Sequence, residues 1–133
     1  MKGLVIERQW IALILDGSKT WEMRSKANPY RGPVGLIPKG SKQVVAVAKL
    51  VGVRAPLTRE ELQDSFEFHR VPIDIFAGMQ GGLKWNTPWL LGEVALLRRA
   101  VPYRHRRGWM SWFDLPDEVE AAVNAQMPAR ETC

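Results

Sequence analysis

Apolar residues recur along this 133-residue chain in two patterns, one typical of strands and one typical of helices. Runs that are β-branched or that alternate between apolar and polar residues predict β-strands. The predicted strands cover residues 3–7, 20–25, 34–39, 43–54 and 89–101. Pro102 should end the last of them, because proline has no backbone N–H to donate across a sheet. The run 43–54 is too long for one flat strand, and we expect it to bend at Gly52.

Helices are predicted in three other segments. In residues 8–16 the apolar side chains recur every three or four positions, and Gly17 follows where a helix end often needs a left-handed residue. Thr58 and Glu61 have the spacing of a capping box, for a helix that should run to His69. A last helix should begin near residue 114, where proline and acidic residues precede an apolar face. The glycine-rich residues 78–82 predict a flexible loop that could move over a site.

Together these elements predict an α+β fold: a small curved sheet or β-barrel of about five to six mostly antiparallel strands with two or three helices. The length fits one domain, which we place at residues 1–126. Residues 127–133 should form a frayed tail. Apolar residues make up 46% of the chain, so a core can form without disulfides or a structural metal.

The composition and the motifs that are missing exclude several classes of protein. The longest apolar stretches fall far short of the roughly 20 residues that a membrane-spanning helix needs, so no membrane partner is expected. The single cysteine, Cys133, cannot form an internal disulfide, which favours the cytoplasm. No P-loop, dinucleotide-binding, HExxH or paired-cysteine zinc motif occurs. These absences exclude P-loop nucleotide hydrolysis and make a structural zinc site a poor fit.

Positive charge is concentrated late in the chain. The net charge of +5 equals the number of arginines in residues 94–113, a stretch without acidic residues. Such a block predicts an anionic partner, although a solvated face is the alternative interpretation. The residues predicted to form a surface for nucleic-acid phosphates are Arg98, Arg99, Tyr103, Arg104, Arg106 and Arg107.

A second group of polar side chains gathers where the first helix joins the second strand. Glu22 and Arg24 should point to the same face of that strand, while Lys19 approaches from the preceding turn. A surface salt-bridge set is the alternative to a binding site. Two cations beside one carboxylate should lower the pKa of Glu22 and keep it ionised, which favours binding over proton transfer.

The pattern Gly17-x-Lys19-x-x-Glu22-x-Arg24 resembles the GxKxxExR signature of the ASCH domain, the activating-signal-cointegrator homology module of the PUA-like superfamily. Segments elsewhere in the chain resemble their family counterparts in the same order. They are residues 9–17, 30–35, 57–62, the strand with Trp89 and Val94, and residues 101–108.

The resemblance implies a PUA-like barrel with a cleft that binds RNA or a nucleoside-like ligand. It places Lys19, Glu22 and Arg24 in that cleft, with Trp10 at its wall and Arg31 near its rim. Lys84 and Tyr103 are further candidates for the lining. The leading function is therefore binding of RNA or a modified nucleoside, without a cofactor. A protein-interaction domain is a third class of function, in which the partner would be a protein.

Hydrolysis of RNA or of a modified nucleoside is the alternative function, with Lys19 and Glu22 as the catalytic pair. One relative, a bacterial acetylcytidine amidohydrolase, uses a lysine, a threonine three residues later and a distant glutamate. Glu22 stands where that threonine would be, and Thr20 has the wrong strand parity, so no threonine nucleophile is expected. Another relative is a metal-dependent ribonuclease. A divalent metal is conceivable for that activity, with Glu22, Asp74 and Glu93 as its ligands.

Overall fold

A computed structural model describes residues 1–78 and 82–127 of the chain. Within these residues the chain forms six strands and four α-helices. The strands are β1 (Lys2–Ile6), β2 (Trp21–Arg24), β3 (Gly32–Pro38), β4 (Gln43–Val53), β5 (Thr87–Pro102) and β6 (Trp112–Asp114). The helices are α1 (Arg8–Leu15), α2 (Arg59–Asp64), α3 (Phe66–His69) and α4 (Asp117–Asn124), with a 3-10 helix at Ile73–Phe76.

All six strands belong to one sheet, in the order β2-β5-β4-β3-β1-β6. Only β1 and β3 pair in parallel, and the other four pairings are antiparallel. Three shifts of register between β4 and β5 bend these long strands, and one of them falls between Leu50 and Gly52, where the bend was predicted. The curled sheet forms a half-barrel. The predicted small α+β fold with a mostly antiparallel sheet is confirmed.

The prediction of one continuous helix over residues 58–69 is wrong, because the structure has two short helices there. Its capping box exists, because Thr58 Oγ1 accepts from the Glu61 N–H at 3.2 Å and Glu61 Oε1 accepts from the Thr58 N–H at 3.0 Å. The helix then breaks at Ser65, whose hydroxyl donates to the Glu61 carbonyl at 2.7 Å. Serine offers the backbone this alternative to a helical bond, which is why it favours helix ends. The described residues therefore hold four short helices rather than two or three.

Three groups of buried side chains connect the sheet to the helices. The first packs α1 on β1, β3 and β4, the second packs α4 against the opposite part of the sheet, and the third packs β2 on α2 and the 3-10 helix. Strand β6 was not predicted, because three residues are too few to show alternation. Residues 79–81 of the predicted flexible loop and residues 128–133 of the predicted frayed tail lie outside the described residues.

None of the helices that the structure describes is long and apolar enough to cross a membrane. The compartment predicted from the sequence stays a prediction.

Candidate functional site

A cavity of about 320 Å³ lies between the end of β1, the start of α1 and strand β2. Its position is set by the open side of the half-barrel, since β2 is one edge of the sheet and β6 the other. The lining residues are Val5, Ile6, Glu7, Trp10, Lys19, Glu22, Met23, Arg24, Ser25, Lys39, Val71, Ile75, Trp85 and Ser111. We call this cavity the cleft. Its volume falls in the lower part of the range for small-molecule sites.

Lys19 reaches the cleft from the turn between α1 and β2. Gly17, with φ of 86°, allows the chain to reverse after the helix. The Lys19 side chain is almost completely buried, at 1% exposure. Its ammonium donates to the His69 carbonyl at 2.6 Å and lies 5.2 Å from the centre of the Trp10 ring. Burial lowers the pKa of Lys19 from 10.5 to about 8, and the nearby Glu22 carboxyl opposes that shift.

Glu22 and Arg24 point to the same side of β2, as strand parity predicts, and both line the cleft. Arg24 Nη1 donates to Glu22 Oε2 at 3.3 Å, and Arg24 Nη2 donates to Ser111 Oγ. The Arg24 guanidinium also lies over the Trp89 ring, 5.5 Å from its centre. Ser111 directly precedes β6, so Arg24 ties the two edges of the half-barrel together on one side of the cleft.

The predicted lowering of the Glu22 pKa is wrong. Glu22 is only 5% exposed, and burial raises the pKa of its carboxyl, with Lys19 and Arg24 opposing the rise. Removing a carboxylate from water disfavours its charged form, and here this cost exceeds the attraction of the two cations. Burial therefore shifts both Lys19 and Glu22 towards their neutral forms, a pattern that is common where side chains exchange protons with a ligand.

His69 holds Lys19 in place through its backbone. Its ring is buried and neutral, because Nε2 contacts the Leu62 carbonyl at 2.7 Å while Nδ1 accepts from the Val71 N–H at 2.9 Å. Burial lowers the pKa of this imidazole, and the Leu62 carbonyl opposes that shift. Sequence reasoning did not find this contact. The acceptor is a main-chain carbonyl, which every residue type has, so the sequence holds no signal for this contact.

The other predicted cleft residues divide into two groups. Trp10 lines the cleft wall, as expected. Arg31 does not reach the cleft, because its guanidinium donates to the carbonyls of Asn28 and Tyr30 in its own turn. Lys84 and Tyr103 are not among the lining residues, and Thr20 is exposed. The lining also includes Ser111 and Trp85, which the motif could not indicate because both lie far from it along the chain.

The three acidic residues considered as metal ligands lie apart. Asp74 is exposed on the 3-10 helix, and Glu93 pairs with Lys49 at 3.8 Å beside a different cavity. Within residues 1–78 and 82–127 no three His, Cys, Asp or Glu side chains come together as a metal site. The charges that act on Glu22 are the two cations Lys19 and Arg24, while the other carboxylate of the cleft lining, Glu7, pairs with Lys39.

The arginine block borders a second, more open depression of about 950 Å³ rather than the cleft. Arg104, Arg106 and Arg107 line it together with part of α4, whereas Arg98 and Arg99 are exposed on β5 and do not. Tyr103 lies mostly inside the fold, where its hydroxyl bonds to His105 Nδ1 at 2.9 Å. We call this depression the arginine depression. The stretch from Arg104 to Ser111 leads from it to the cleft.

Comparisons with known proteins bear on the fold and the family. The sequence model of the ASCH domain family matches residues 4–105. The crystal structure of an ASCH protein from Zymomonas mobilis is similar to this chain, with a TM-score of 0.72 at 13% identity over 93% of each chain. A tyrosine-to-phenylalanine variant of that protein has a TM-score of 0.71 at 15% identity, over 93% of this chain and 96% of the variant. A serine-to-alanine variant has a TM-score of 0.70 at 15% identity, over 93% of this chain and 94% of the variant. No curated protein matches the sequence.

Proposed function

This chain belongs to the ASCH domain family and has a PUA-like fold, and we propose that its cleft binds a nucleoside-like ligand or a nucleotide of RNA. One observation supports this most strongly: the buried ammonium of Lys19 and the buried carboxyl of Glu22 line the same small cavity. Burying such groups is costly, and the His69 carbonyl and Arg24 compensate only part of their hydrogen-bonding capacity. A polar ligand of the right size would use the rest.

The donors and acceptors of the cleft suit a nucleotide. A lysine ammonium has three N–H donors, and the His69 carbonyl takes one of them. A phosphate or base carbonyl in the cleft could accept from the other two. Glu22 can accept from an amino group of a base, or donate when it is protonated. The indole of Trp10 supplies an apolar wall beside these polar groups.

Mass spectrometry of small molecules and RNA that co-purify with the protein tests this proposal. We expect a nucleoside, nucleotide or RNA fragment to accompany the wild type and to be lost from Lys19→Met. Lys49→Met is the matched control, because Lys49 makes an ion pair on another face of the sheet. Recovery of the same ligand from Lys19→Met would contradict binding in the cleft.

Binding of a phosphate-bearing ligand should depend on pH. The charged form of Lys19 attracts phosphate, and with a pKa of about 8 this lysine loses its proton as the pH rises through that value. We therefore expect affinity to fall as the pH rises through about 8, a range in which a phosphate monoester already carries both of its negative charges. Titration calorimetry from pH 7 to pH 9.5 measures the change, and Lys19→Met provides the baseline. A wild-type affinity that does not vary over this range would contradict a phosphate contact by Lys19.

We also propose that Arg98, Arg99, Arg104, Arg106 and Arg107 contact the phosphates of bound RNA. Three of them line one depression, and none pairs with an acidic side chain among the described residues. Tyr103 was predicted in this surface, and it lines the depression together with these three arginines, although most of its side chain is buried against Phe113. RNA that entered the cleft could follow the stretch from Ser111 to Arg104.

Affinity for single-stranded RNA should fall steeply with added salt, with a slope that reflects about three to five phosphate contacts. Replacing Arg104, Arg106 and Arg107 by alanine should flatten this slope. The matched control replaces Arg8, Arg54 and Arg59 by alanine. These arginines are also exposed, and their replacement removes the same amount of positive charge. Filter binding at several salt concentrations measures all three proteins. If both triple variants flatten the slope equally, the effect is one of net charge and not of this surface.

A second candidate function, hydrolysis of RNA or of a modified nucleoside, is supported by the opposite pKa shifts of Lys19 and Glu22. Burial moves both groups towards the range in which general acids and bases work. Glu22 would activate water and Lys19 would stabilise the developing negative charge.

Cleavage of an RNA oligonucleotide or deacetylation of acetylcytidine should then be lost in Glu22→Gln and kept in Thr20→Ala. Loss of activity in Thr20→Ala alone would overturn this mechanism. A protein partner stays a prediction.

A further inference from the structure

Trp85 differs from the other five tryptophans of the chain. Its side chain is 46% exposed, whereas the others are buried or half-buried. Trp21 stacks on Phe68, Trp89 packs against Trp112, and Trp109 stacks on Phe113. Among the described residues Trp85 has no ring partner of this kind, and it belongs to none of the three core groups. It nevertheless lines the cleft.

The backbone of Trp85 is held in an unfavourable conformation. Its φ is 57°, in the left-handed region that bulky residues rarely adopt. Hydrogen bonds on both sides enforce it. The Lys84 N–H donates to the Phe76 carbonyl at 2.9 Å, and Asn86 bonds to Leu57 through both its backbone carbonyl and its side-chain amide, each at 2.9 Å. Strained residues that their neighbours fix in this way are concentrated at ligand-binding sites.

The two tryptophans that line the cleft have different surroundings. Trp10 packs against two core groups, and the Lys19 ammonium lies over its ring. Trp85 keeps close to half its surface in solvent, and the Lys84 ammonium lies 4.4 Å from its ring centre. Trp10 therefore forms part of the wall, while Trp85 offers an exposed aromatic surface at the mouth. A cation beside that ring would also favour a ligand that carries a phosphate.

We propose that Trp85 stacks on the planar heterocyclic base of the ligand and thereby selects ligands that carry a base over those with only a sugar phosphate. Aromatic side chains bind unpaired bases in this way, and the interaction tolerates any base because each has a flat face. The inference rests on the proposed function. It adds a specificity-determining residue that the signature segment does not contain.

Titration calorimetry on the full chain tests this role with two kinds of probe, the four common ribonucleoside 5′-monophosphates and ribose 5-phosphate. The wild type should bind at least one nucleotide about tenfold or more tighter than ribose 5-phosphate. In Trp85→Gly this preference should disappear, while affinity for ribose 5-phosphate stays the same. Trp85→Phe, which keeps an aromatic face, should retain the preference to within about threefold.

The stability of the Trp85→Gly variant shows whether Trp85 stacks on the ligand or supports the fold. Glycine adopts a φ of 57° without strain, which offsets the loss of a ring that is 46% exposed, so Trp85→Gly should unfold at a urea midpoint close to that of the wild type. A clearly lower midpoint would mean that the ring supports the fold and would overturn the inference, as would an unchanged nucleotide preference in Trp85→Gly. Equal wild-type binding of nucleotides and ribose 5-phosphate would contradict only the role of Trp85. Binding of neither probe would contradict the proposed function itself.

Discussion

Replacing Lys19 by methionine should strongly weaken ligand binding in the cleft while leaving the stability of the fold nearly unchanged. The ammonium is buried and lines the cavity, and removing one partner of a buried charge contact costs a complex about 2 to 5 kcal/mol. Affinity for a nucleotide should therefore fall by about thirtyfold or more. Methionine fills a similar volume without a charge, so the packing around Trp10 should survive.

Opposing effects keep the expected stability change small. Methionine removes the cost of burying an ammonium, but it leaves the His69 carbonyl without the 2.6 Å hydrogen bond. It also takes one of two cations away from Glu22, which keeps its hydrogen bond to Arg24 and whose pKa should rise further. We expect the free energy of unfolding to change by less than about 1 kcal/mol, measured by urea denaturation. A loss of binding accompanied by a loss of several kcal/mol of stability would indicate that Lys19 is a structural residue. Unchanged binding in Lys19→Met would contradict the site assignment directly.

Arg24→Ala should be the most destabilising change within the signature segment. It removes the guanidinium that bonds to the buried Glu22, contacts the Trp89 ring and reaches Ser111 on the other edge of the sheet. The loss should be about 2 kcal/mol or more, because Glu22 would keep its buried carboxyl without this partner. The pKa of Glu22, already raised by burial, should rise further in this variant. Urea denaturation and carbon NMR of the carboxyl measure the two effects.

A Glu22→Gln background tests the origin of that cost. A neutral amide needs no cation, so Arg24→Ala should be distinctly less destabilising in the presence of Glu22→Gln than in the wild type. The difference between the two values measures the coupling between Glu22 and Arg24. If Arg24→Ala costs the same in both backgrounds, Arg24 stabilises the fold through Ser111 and Trp89, and the ion pair contributes nothing.

The parts of the site that depend on neighbouring residues could be predicted from the sequence. Alternation along one strand places Glu22 and Arg24 on the same side, and Gly17 allows the turn that brings Lys19 beside them. The capping box of α2 likewise depends on residues three positions apart. In each case the relevant distance is set by local backbone geometry.

The remaining features depend on how distant segments meet. Ser111 and Trp85 enter the cleft because the half-barrel brings their segments beside β2, and no local pattern indicates this. The pKa of Glu22 was predicted with the wrong sign because residue spacing shows neighbouring charges but not the degree of burial. The separation of the arginine depression from the cleft is also a consequence of tertiary structure.

The most direct test of ligand binding in the cleft is the NMR spectrum of the indole N–H groups during titration with a nucleotide. Each tryptophan gives one such signal. Trp10 lies in the cleft wall, whereas Trp109 lies beside Arg106 of the arginine depression, with the guanidinium 5.7 Å from its ring centre. Binding in the cleft predicts that the Trp10 signal moves at nucleotide concentrations that leave Trp109 unchanged, and that Lys19→Met abolishes this movement. Movement of Trp109 alone, or of neither signal, would contradict it.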